Sequence, residues 1–253
     1  MKSITQLIKN FPYTKLADLP TPIHHLARLG HKLGNSNLYI KRDDLTGLAL
    51  GGNKVRKLEY LLADALSKEA DSIILSAAAQ SNMVRMTAAG CAKLGLETYA
   101  VLRSMDENPP IEGNLLLDTL FGAHISLIPT LDPYSKLSVE TMQKIEESLI
   151  AQGKHPYIID LRYHSAPIAA LGYFSAVEEL DKQFLAFERY PSHLFLATGS
   201  GSTQAGLLLG IMVKKLPIKV IGISVQKESD WMRPRIMEKL KETATLLSIE
   251  MNL

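Results

Sequence analysis

Two glycines and a lysine open a helical pattern in the segment Gly51-Gly52-Asn53-Lys54-Val55-Arg56-Lys57-Leu58-Glu59. Glycine has no Cβ, so the backbone and a ligand can approach each other closely there. Lys54 falls in the first helical turn, where unpaired N–H groups carry partial positive charge and disfavour a second cation. The neutral amine is the form that makes Schiff bases with carbonyl compounds. The alternative is that Lys54, Arg56 and Lys57 are solvated charges at a helix end.

Downstream of this segment, short apolar strands alternate with amphipathic helices. Apolar spacing predicts a helix from residue 55, and Gly95 and Gly122 predict two later helix ends. We predict strands at 38–41, 72–75, 98–102, 125–128, 157–161, 194–197 and 220–225, and further helices at 81–94, 112–121, 137–149, 168–187, 203–216 and 235–247. This alternation predicts an α/β fold with mostly parallel sheets, and the strand count predicts two packed lobes.

The composition is that of an ordinary soluble globular protein, with 253 residues, 46% hydrophobic, and a net charge of +2. No basic stripe with interleaved aromatic residues is present, which argues against a nucleic-acid partner. A single cysteine, Cys91, excludes an internal disulfide and fits a reducing compartment. We see no signal peptide, and the longest apolar stretch, near residues 205–213, is too short to span a membrane. We therefore expect a cytoplasmic protein without a membrane partner.

A second glycine-rich segment, residues 198–206, follows the predicted strand at 194–197 and reads Thr-Gly-Ser-Gly-Ser-Thr-Gln-Ala-Gly. Open α/β sheets bind ligands at the carboxyl ends of their strands. Successive backbone N–H groups at a helix start bind anions, and hydroxyl groups add donors. A tight turn rarely needs so many glycines and hydroxyls, so we predict a phosphate site, which we call the cup. Its residues are Gly199, Ser200, Gly201, Ser202 and Thr203.

The cup lacks the Gly-Lys-Ser/Thr end of a P-loop and the spacing of a dinucleotide fingerprint. A phosphorylated cofactor smaller than a nucleotide fits better. A reactive lysine at one helix start and a phosphate site at another together predict pyridoxal 5′-phosphate, since Lys54 would hold its aldehyde and the cup its phosphate.

Other polar residues have weaker claims. The seven histidines show no metal-ligand spacing, so no metal is expected. Asp43 and Asp44 are predicted to form a turn held by Arg42, and Cys91 is predicted to pack on a buried helix face. Ser81 is a natural helix N-cap, and capping alone is the alternative to a role in the site.

Five segments give the chain a family resemblance, and they occur in the family's order over nearly the whole length. They are residues 39–45, 51–59, 80–82, 170–173 and 198–206. The chain resembles the D-cysteine desulfhydrase/1-aminocyclopropane-1-carboxylate deaminase family. This resemblance implies a two-lobed fold-type II pyridoxal phosphate enzyme, usually a homodimer. The smaller lobe would span approximately 49–156, and the larger lobe 1–48 plus 157–253.

The resemblance also implies roles for individual residues. Lys54 would be the Schiff-base lysine and would move the substrate Cα proton. Asn82 would meet the cofactor ring hydroxyl, and Ser81 would bind the substrate carboxylate or assist at its carbons. Gly199 through Thr203 would hold the phosphate. The substrate would be a small amino acid, most simply D-cysteine, which gives sulfide, pyruvate and ammonia. The alternative is 1-aminocyclopropane-1-carboxylate, which gives 2-oxobutyrate and ammonia.

Three departures from the family pattern lead to a third interpretation. Met83 stands where the family has His or Gln, and Tyr163-His164 replaces two glycines. The sequence ends at Leu253, before the family's segment with a substrate-side Tyr motif and a loop beside the pyridine nitrogen. We therefore expect little or no turnover from this chain alone, as a cofactor-binding homologue. A non-catalytic interaction protein that keeps only the fold is a further alternative.

Overall fold

The computed structural model describes residues 3–225 and 227–251. The helices are α1 (Ile4–Ile8), α2 (Ala27–Lys32), α3 (Lys54–Ser67), α4 (Asn82–Leu94), α5 (Gly113–Leu120), α6 (Lys136–Ala151), α7 (Ala166–Ala186), α8 (Ser202–Lys214) and α9 (Ser229–Leu246). The strands are β1 (Ile23–His25), β2 (Tyr39–Lys41), β3 (Ser72–Ala78), β4 (Glu97–Arg103), β5 (His124–Ile128), β6 (Pro156–Ile159), β7 (His193–Thr198) and β8 (Lys219–Ser224). Short 3-10 turns cover Asp43–Leu45 and Leu48–Leu50.

The predicted alternation of strands and helices is confirmed, and most boundaries agree within three residues. The largest difference is at α9, which begins at Ser229 rather than at 235 and runs through Pro234. A proline removes one backbone donor, but it lies here in the second turn of an 18-residue helix that packs on its neighbours. The sequence prediction therefore placed this helix start six residues too late.

Parallel strands form two separate sheets. The four-stranded sheet has the order β5-β4-β3-β6, and β7 pairs with β8 in the second sheet. Strands β1 and β2 form an antiparallel pair. The α/β class with helices flanking parallel sheets is thus confirmed. The lobe boundaries near residues 49 and 156 stay a prediction.

Helices cover both faces of the larger sheet. Successive strand residues point to opposite faces, so neighbouring residues of β3 pack in different cores. Ile73 and Leu75 of β3 pack in a core with residues of α3 and α4. Ile74, between them, packs in a second core with Met142 and Leu149 of α6. A third core lies among α7, α8 and α9.

Helix α7 sets the distance between the starts of α3 and α8, because glycine lets the three backbones touch. A Cβ added at Gly172 of α7 would lie 2.2 Å from the carbonyl oxygen of Arg56. A Cβ added at Gly206 of α8 would lie 2.3 Å from the carbonyl oxygen of Ala170. Contacts this short exclude any larger residue without a backbone shift. The two predicted ligand-binding helix starts are therefore held at a fixed separation.

Arg56 lies at the centre of a buried ion network and is only 2% exposed. Its guanidinium donates to Asp43 Oδ1 and Oδ2 at 2.9 Å and to Glu179 Oε2 at 2.9 Å. Glu179 also pairs with Lys41, and the Tyr173 hydroxyl donates to Asp43 Oδ2 at 2.6 Å. The network joins the amino-terminal segment, α3 and α7.

The prediction for Asp43 and Asp44 was wrong in part, and the alternative that Arg56 and Lys57 are solvated charges was wrong. Arg42 pairs with Asp44 at 2.7 Å as predicted, but Asp43 belongs to the buried network instead. Arg56 and Lys57 are buried rather than solvated. Helical spacing alone does not reveal this, because α7 covers the face that carries them.

Three further expectations concern single features. Cys91 is buried in α4 as predicted, and burial raises the pKa of its thiol to about 12. None of the helices in the described ranges combines the length and the apolar character needed to cross a membrane. Within the same ranges, no three His, Cys, Asp or Glu side chains cluster as a metal site would require.

Candidate active site

A cleft of about 1350 Å³ brings together almost all of the residues predicted for the site. It follows the carboxyl ends of β3, β6 and β7, where open α/β folds place their ligands. The predicted residues that line it are Lys54, Ser81, Asn82, Gly199, Ser200, Gly201 and Thr203. Ser202 lies behind this lining, fully buried.

Lys54 is the first residue of α3, and two glycines allow the chain to enter the helix there. A Cβ at Gly51 would lie 1.9 Å from the carbonyl oxygen of Asp44, and one at Gly52 would lie 2.3 Å from Met86 Cε. Both glycines also have positive φ angles, of 71° and 134°. The backbone contact at Gly51 and the positive φ angles at both positions therefore require glycine, apart from any ligand.

The amine of Lys54 is held in a partly buried setting. Its Nζ donates to Asn53 Oδ1 at 3.0 Å. Burial lowers the pKa of Lys54. The sequence predicted this direction from the helix terminus, whereas the structure supplies burial as the cause. A lowered pKa increases the fraction of neutral, nucleophilic amine at neutral pH.

The cup is held by a positive-φ glycine and by a hydrogen bond between the two side chains that flank it. Gly201 has a φ angle of 88° and is the N-cap of α8, and the Thr198 hydroxyl donates to Gln204 Oε1 at 2.7 Å. A Cβ at Gly201 would meet Ile236 Cγ1 at 3.1 Å, so a side chain here would point toward α9 while the Gly201 backbone lines the cleft. The first N–H groups of α8 lack helical partners and remain available to an anion.

Lys57 is a site residue that sequence reasoning missed. It lines the cleft, is 1% exposed, and its Nζ donates to Ser202 Oγ at 2.9 Å. The signal was its spacing, since residues i and i+3 share one helix face and Lys54 is the other member. Ser202 therefore accepts a hydrogen bond from Lys57 and does not itself line the cleft.

Lys54, Lys57 and Lys239 lie near one another beside the cup, and nearby carboxylates oppose the lowering of the pKa by burial for Lys239 alone among them. Burial lowers the pKa of Lys57 well below its usual value, and the nearby Lys54 and Lys239 lower it further. Across residues 3–225 and 227–251, no carboxylate forms a salt bridge with any of these three amines. Buried cations without counter-charge are costly unless an anion joins them. The donor set therefore fits a phosphate dianion.

Ser81 and Asn82 start α4 on the opposite wall. Ser81 caps the helix, since its Oγ accepts from the Met83 N–H at 3.1 Å. Asn82 Oδ1 accepts from Arg85 Nη1 at 3.0 Å and from Asn114 Nδ2 at 3.0 Å. With its oxygen occupied twice, Asn82 has its amide N–H groups left to donate into the cleft.

The remaining wall differs from what the sequence suggested. Tyr163 is 55% exposed, and neither it nor His164 lines the cleft, whereas Arg162 does. Arg162 Nε donates to Asp160 Oδ1 at 2.8 Å. Met83 lines the cleft with an apolar side chain, as its position in the sequence indicated.

An aromatic cluster connects α9 to the loop after β5. The Arg235 guanidinium lies 3.8 Å from the centre of the Trp231 ring, which meets Tyr134 edge to face at 5.0 Å between ring centres. Tyr134 lines the cleft. This cluster therefore forms part of the wall behind the cleft.

Comparison with known proteins agrees with this geometry. The family model described as "Pyridoxal-phosphate dependent enzyme" matches residues 14–250. A D-cysteine desulfhydrase of Yersinia enterocolitica is 39% identical over 247 residues, covering 96% of this chain and 72% of that protein. A provisionally named 1-aminocyclopropane-1-carboxylate deaminase of Pyrococcus horikoshii is 38% identical over 247 residues, covering 98% and 73%. The crystal structure of an ACC deaminase homologue superposes with a TM-score of 0.90 at 37% identity, covering 100% of this chain and 75% of that chain.

Proposed function

The chain belongs to the pyridoxal-phosphate-dependent enzymes and has their fold-type II architecture, and we propose that its cleft is the active site of a small-amino-acid deaminase or lyase. The observation that carries the proposal is one cleft that joins the Lys54 amine to a cup backed by the buried amine of Lys57. Lys54 would hold the cofactor aldehyde. The cup, supported by Lys57, would hold its phosphate. When bound, the cofactor supplies an electron sink for negative charge at the substrate Cα.

The side chains of Asn82 and Ser81 would bind and orient the cofactor and the substrate, and Lys54 would also move a proton. Asn82 donates its amide N–H toward the cofactor ring hydroxyl, because Arg85 and Asn114 occupy its oxygen. Ser81 presents its hydroxyl at the start of α4, where a helix terminus favours the substrate carboxylate. Lys54, with a lowered pKa, is suited to take the proton from the Cα of D-cysteine.

We propose D-cysteine as the substrate. Breaking its Cβ–S bond, with addition of one water molecule overall, gives hydrogen sulfide, pyruvate and ammonia. The relatives support this substrate and the alternative, 1-aminocyclopropane-1-carboxylate, by name. That compound and one water molecule give 2-oxobutyrate and ammonia. A cofactor-binding homologue with little or no turnover is the third candidate, favoured by Met83 in the cleft wall.

Two measurements on the purified chain test the proposal. After incubation with pyridoxal 5′-phosphate, a visible absorbance band that borohydride reduction removes indicates a Schiff base. Lys54→Ala should lose this band, while Lys68→Ala, an exposed lysine at the other end of α3, should keep it. A wild-type chain that stays colourless with excess cofactor would falsify the cofactor assignment.

Product analysis then separates the candidate reactions. Release of both pyruvate and sulfide from D-cysteine supports the desulfhydrase, and release of 2-oxobutyrate from the cyclopropane amino acid supports the deaminase. A coloured chain that releases none of these products supports the third candidate. L-cysteine is the control for stereochemistry.

We further propose a cytoplasmic homodimer in which residues 49–156 form the smaller lobe. The support is the resemblance to the family and a single buried thiol. Light scattering gives the mass in solution, and a monomer at micromolar concentration would contradict the dimer.

A further inference from the structure

Arg103 is a buried cation in the cleft for which the proposed chemistry has no use. It is the last residue of β4, lines the cleft, and is only 7% exposed. Its Nη1 donates to Ser76 Oγ at 3.3 Å, whereas its Nε is buried and bonds to no described residue. Burying an arginine with so few partners costs free energy, so a missing partner is indicated.

Nearby carboxylates do not fill this role. Asp160 is already bound by Arg162 through Nε–Oδ1 and Nη2–Oδ2 contacts of 2.8 and 3.0 Å. Asp132 lies on the exposed loop after β5, where its Oδ1 accepts from the Tyr134 N–H at 3.0 Å. Neither forms a salt bridge with Arg103. Burial and the positive charge of Arg162 lower the pKa of Arg103, and the charges of Asp132 and Asp160 oppose this shift without reversing it.

Arg103 lies on a different face of the sheet from Ser81, which is proposed to bind the substrate carboxylate. Its partner Ser76 shares a face of β3 with Ile74, which packs toward α6. Ser81 begins α4, which packs on the other face with Ile73. A tight turn, with the Ser81 N–H donating to the Ala78 carbonyl at 3.0 Å, keeps both positions at one edge of the sheet. Ser76, Ser81 and Arg103 all line the same cleft, so a ligand in it lies between walls that carry both groups.

We propose that Arg103, together with Ser76, binds an anionic group on the side chain of amino-acid substrates other than D-cysteine, which carries no such group. These substrates would be small amino acids with a compact oxyanion, such as a carboxylate or a phosphate, beyond Cβ. A planar guanidinium with free N–H groups suits such oxyanions in geometry and charge. This inference rests on the proposed function, since it extends the same cleft.

The experiment measures binding by calorimetry to the full chain incubated with pyridoxal 5′-phosphate. Aspartate and asparagine, in both enantiomers, differ only in the side-chain charge, and O-phosphoserine and serine form a second pair for phosphate. We expect the chain to prefer the anionic member by roughly tenfold or more, the effect of a hydrogen bond to a charged group. Arg103→Met should remove this preference and leave asparagine binding unchanged. Arg103→Lys should keep part of it, and Arg233→Met, an exposed arginine on α9, should keep all of it.

The outcomes separate this proposal from the proposed function. Equal binding of the charged and neutral members by the wild-type chain overturns the subsite, whatever the variants do. So does an Arg103→Met variant that weakens both members equally. The visible cofactor band is recorded on the same samples. A chain that discriminates but shows no band contradicts the cofactor assignment while the subsite stands, and a coloured chain that does not discriminate shows the reverse.

Discussion

At the scale of single residues, Lys57 is a buried amine whose positive charge would be stabilised by a bound anion. Its buried amine has one hydrogen bond, to Ser202, and two neighbouring cations. Such an arrangement is unfavourable in the protein alone and becomes favourable only when an anion arrives. Residues that lower the stability of the ligand-free protein in this way are typical of functional sites.

We therefore predict opposite effects of Lys57→Met on the two forms. Without cofactor, the melting temperature should rise or stay constant, because methionine fills a similar volume without a buried charge. The dissociation constant for pyridoxal 5′-phosphate should increase roughly tenfold or more, because a charged hydrogen bond is lost. Thermal melts with and without cofactor measure both effects, with Lys68→Met as the control. Unchanged cofactor affinity would exclude Lys57 from the phosphate site.

Asp118 is a second buried titratable residue, and it does not line the cleft. It is fully buried in α5, and neither carboxylate oxygen has a hydrogen-bond partner among the described residues. Burial raises its pKa to about 7, although Arg85 opposes the shift. The folded chain therefore favours the protonated acid. Its destabilising effect appears as the pH rises above the unfolded pKa of about 4 and is complete above the folded value.

Asp118→Asn should accordingly stabilise the protein at pH 8, while the two chains should differ little at pH 4. Urea unfolding at the two pH values measures the difference in the free energy of unfolding. A gain that is the same at both pH values would mean that the charge of Asp118 is not the cause.

At the scale of helices and strands, backbone contact between α7 and α8 controls the geometry of the site. We predict that Gly206→Ala costs about 1–3 kcal/mol of stability, because its Cβ would meet the rigid backbone of α7. Gly90→Ala in α4 is the matched control. Its Cβ would meet only the end of the Leu62 side chain, at 2.8 Å, and alanine favours the helix. Chemical unfolding of both variants tests this, and equal stability changes would contradict it.

The same scale shows what the sequence could and could not predict. Period and glycine spacing were sufficient for most of the strands and helices after residue 38, because local geometry determines where apolar residues recur, but they did not predict α1, β1 and α2. The buried state of Arg56, Lys57 and Arg103 was not predictable, since it depends on which elements cover them. Ser81 could be identified as a cap, but one of the two bonds that orient Asn82 comes from Asn114, 32 residues away. Contacts between distant segments leave no local pattern.

At the scale of the whole molecule, the Arg56 network joins segments that are far apart in the sequence. Burial opposes charge on Asp43 and Glu179, but the bonds from Arg56 outweigh it and lower the pKa of both carboxyl groups. A lowered folded pKa means that the stabilisation is present at neutral pH and is lost as the pH falls through the folded values.

Arg56→Met should therefore cost about 3–5 kcal/mol at pH 7, because it leaves two carboxylates buried without their cation. The penalty should shrink toward pH 3, where protonation neutralises the carboxylates. Denaturant titrations across this range test the expectation, and Arg42→Met, whose partner Asp44 is exposed, serves as the control. A penalty that does not depend on pH would exclude the ionic explanation.

The cluster of Trp231, Tyr134 and Arg235 has a consequence for how the molecule can be observed. Trp231 is the only tryptophan in the chain, so its fluorescence reports from one position. It touches Tyr134, and Tyr134 lines the cleft. A pyridoxal chromophore in the cleft would accept excitation energy from the indole ring and quench its emission. The protein thus contains its own optical probe of ligand binding, and titrations of the native chain need no added label.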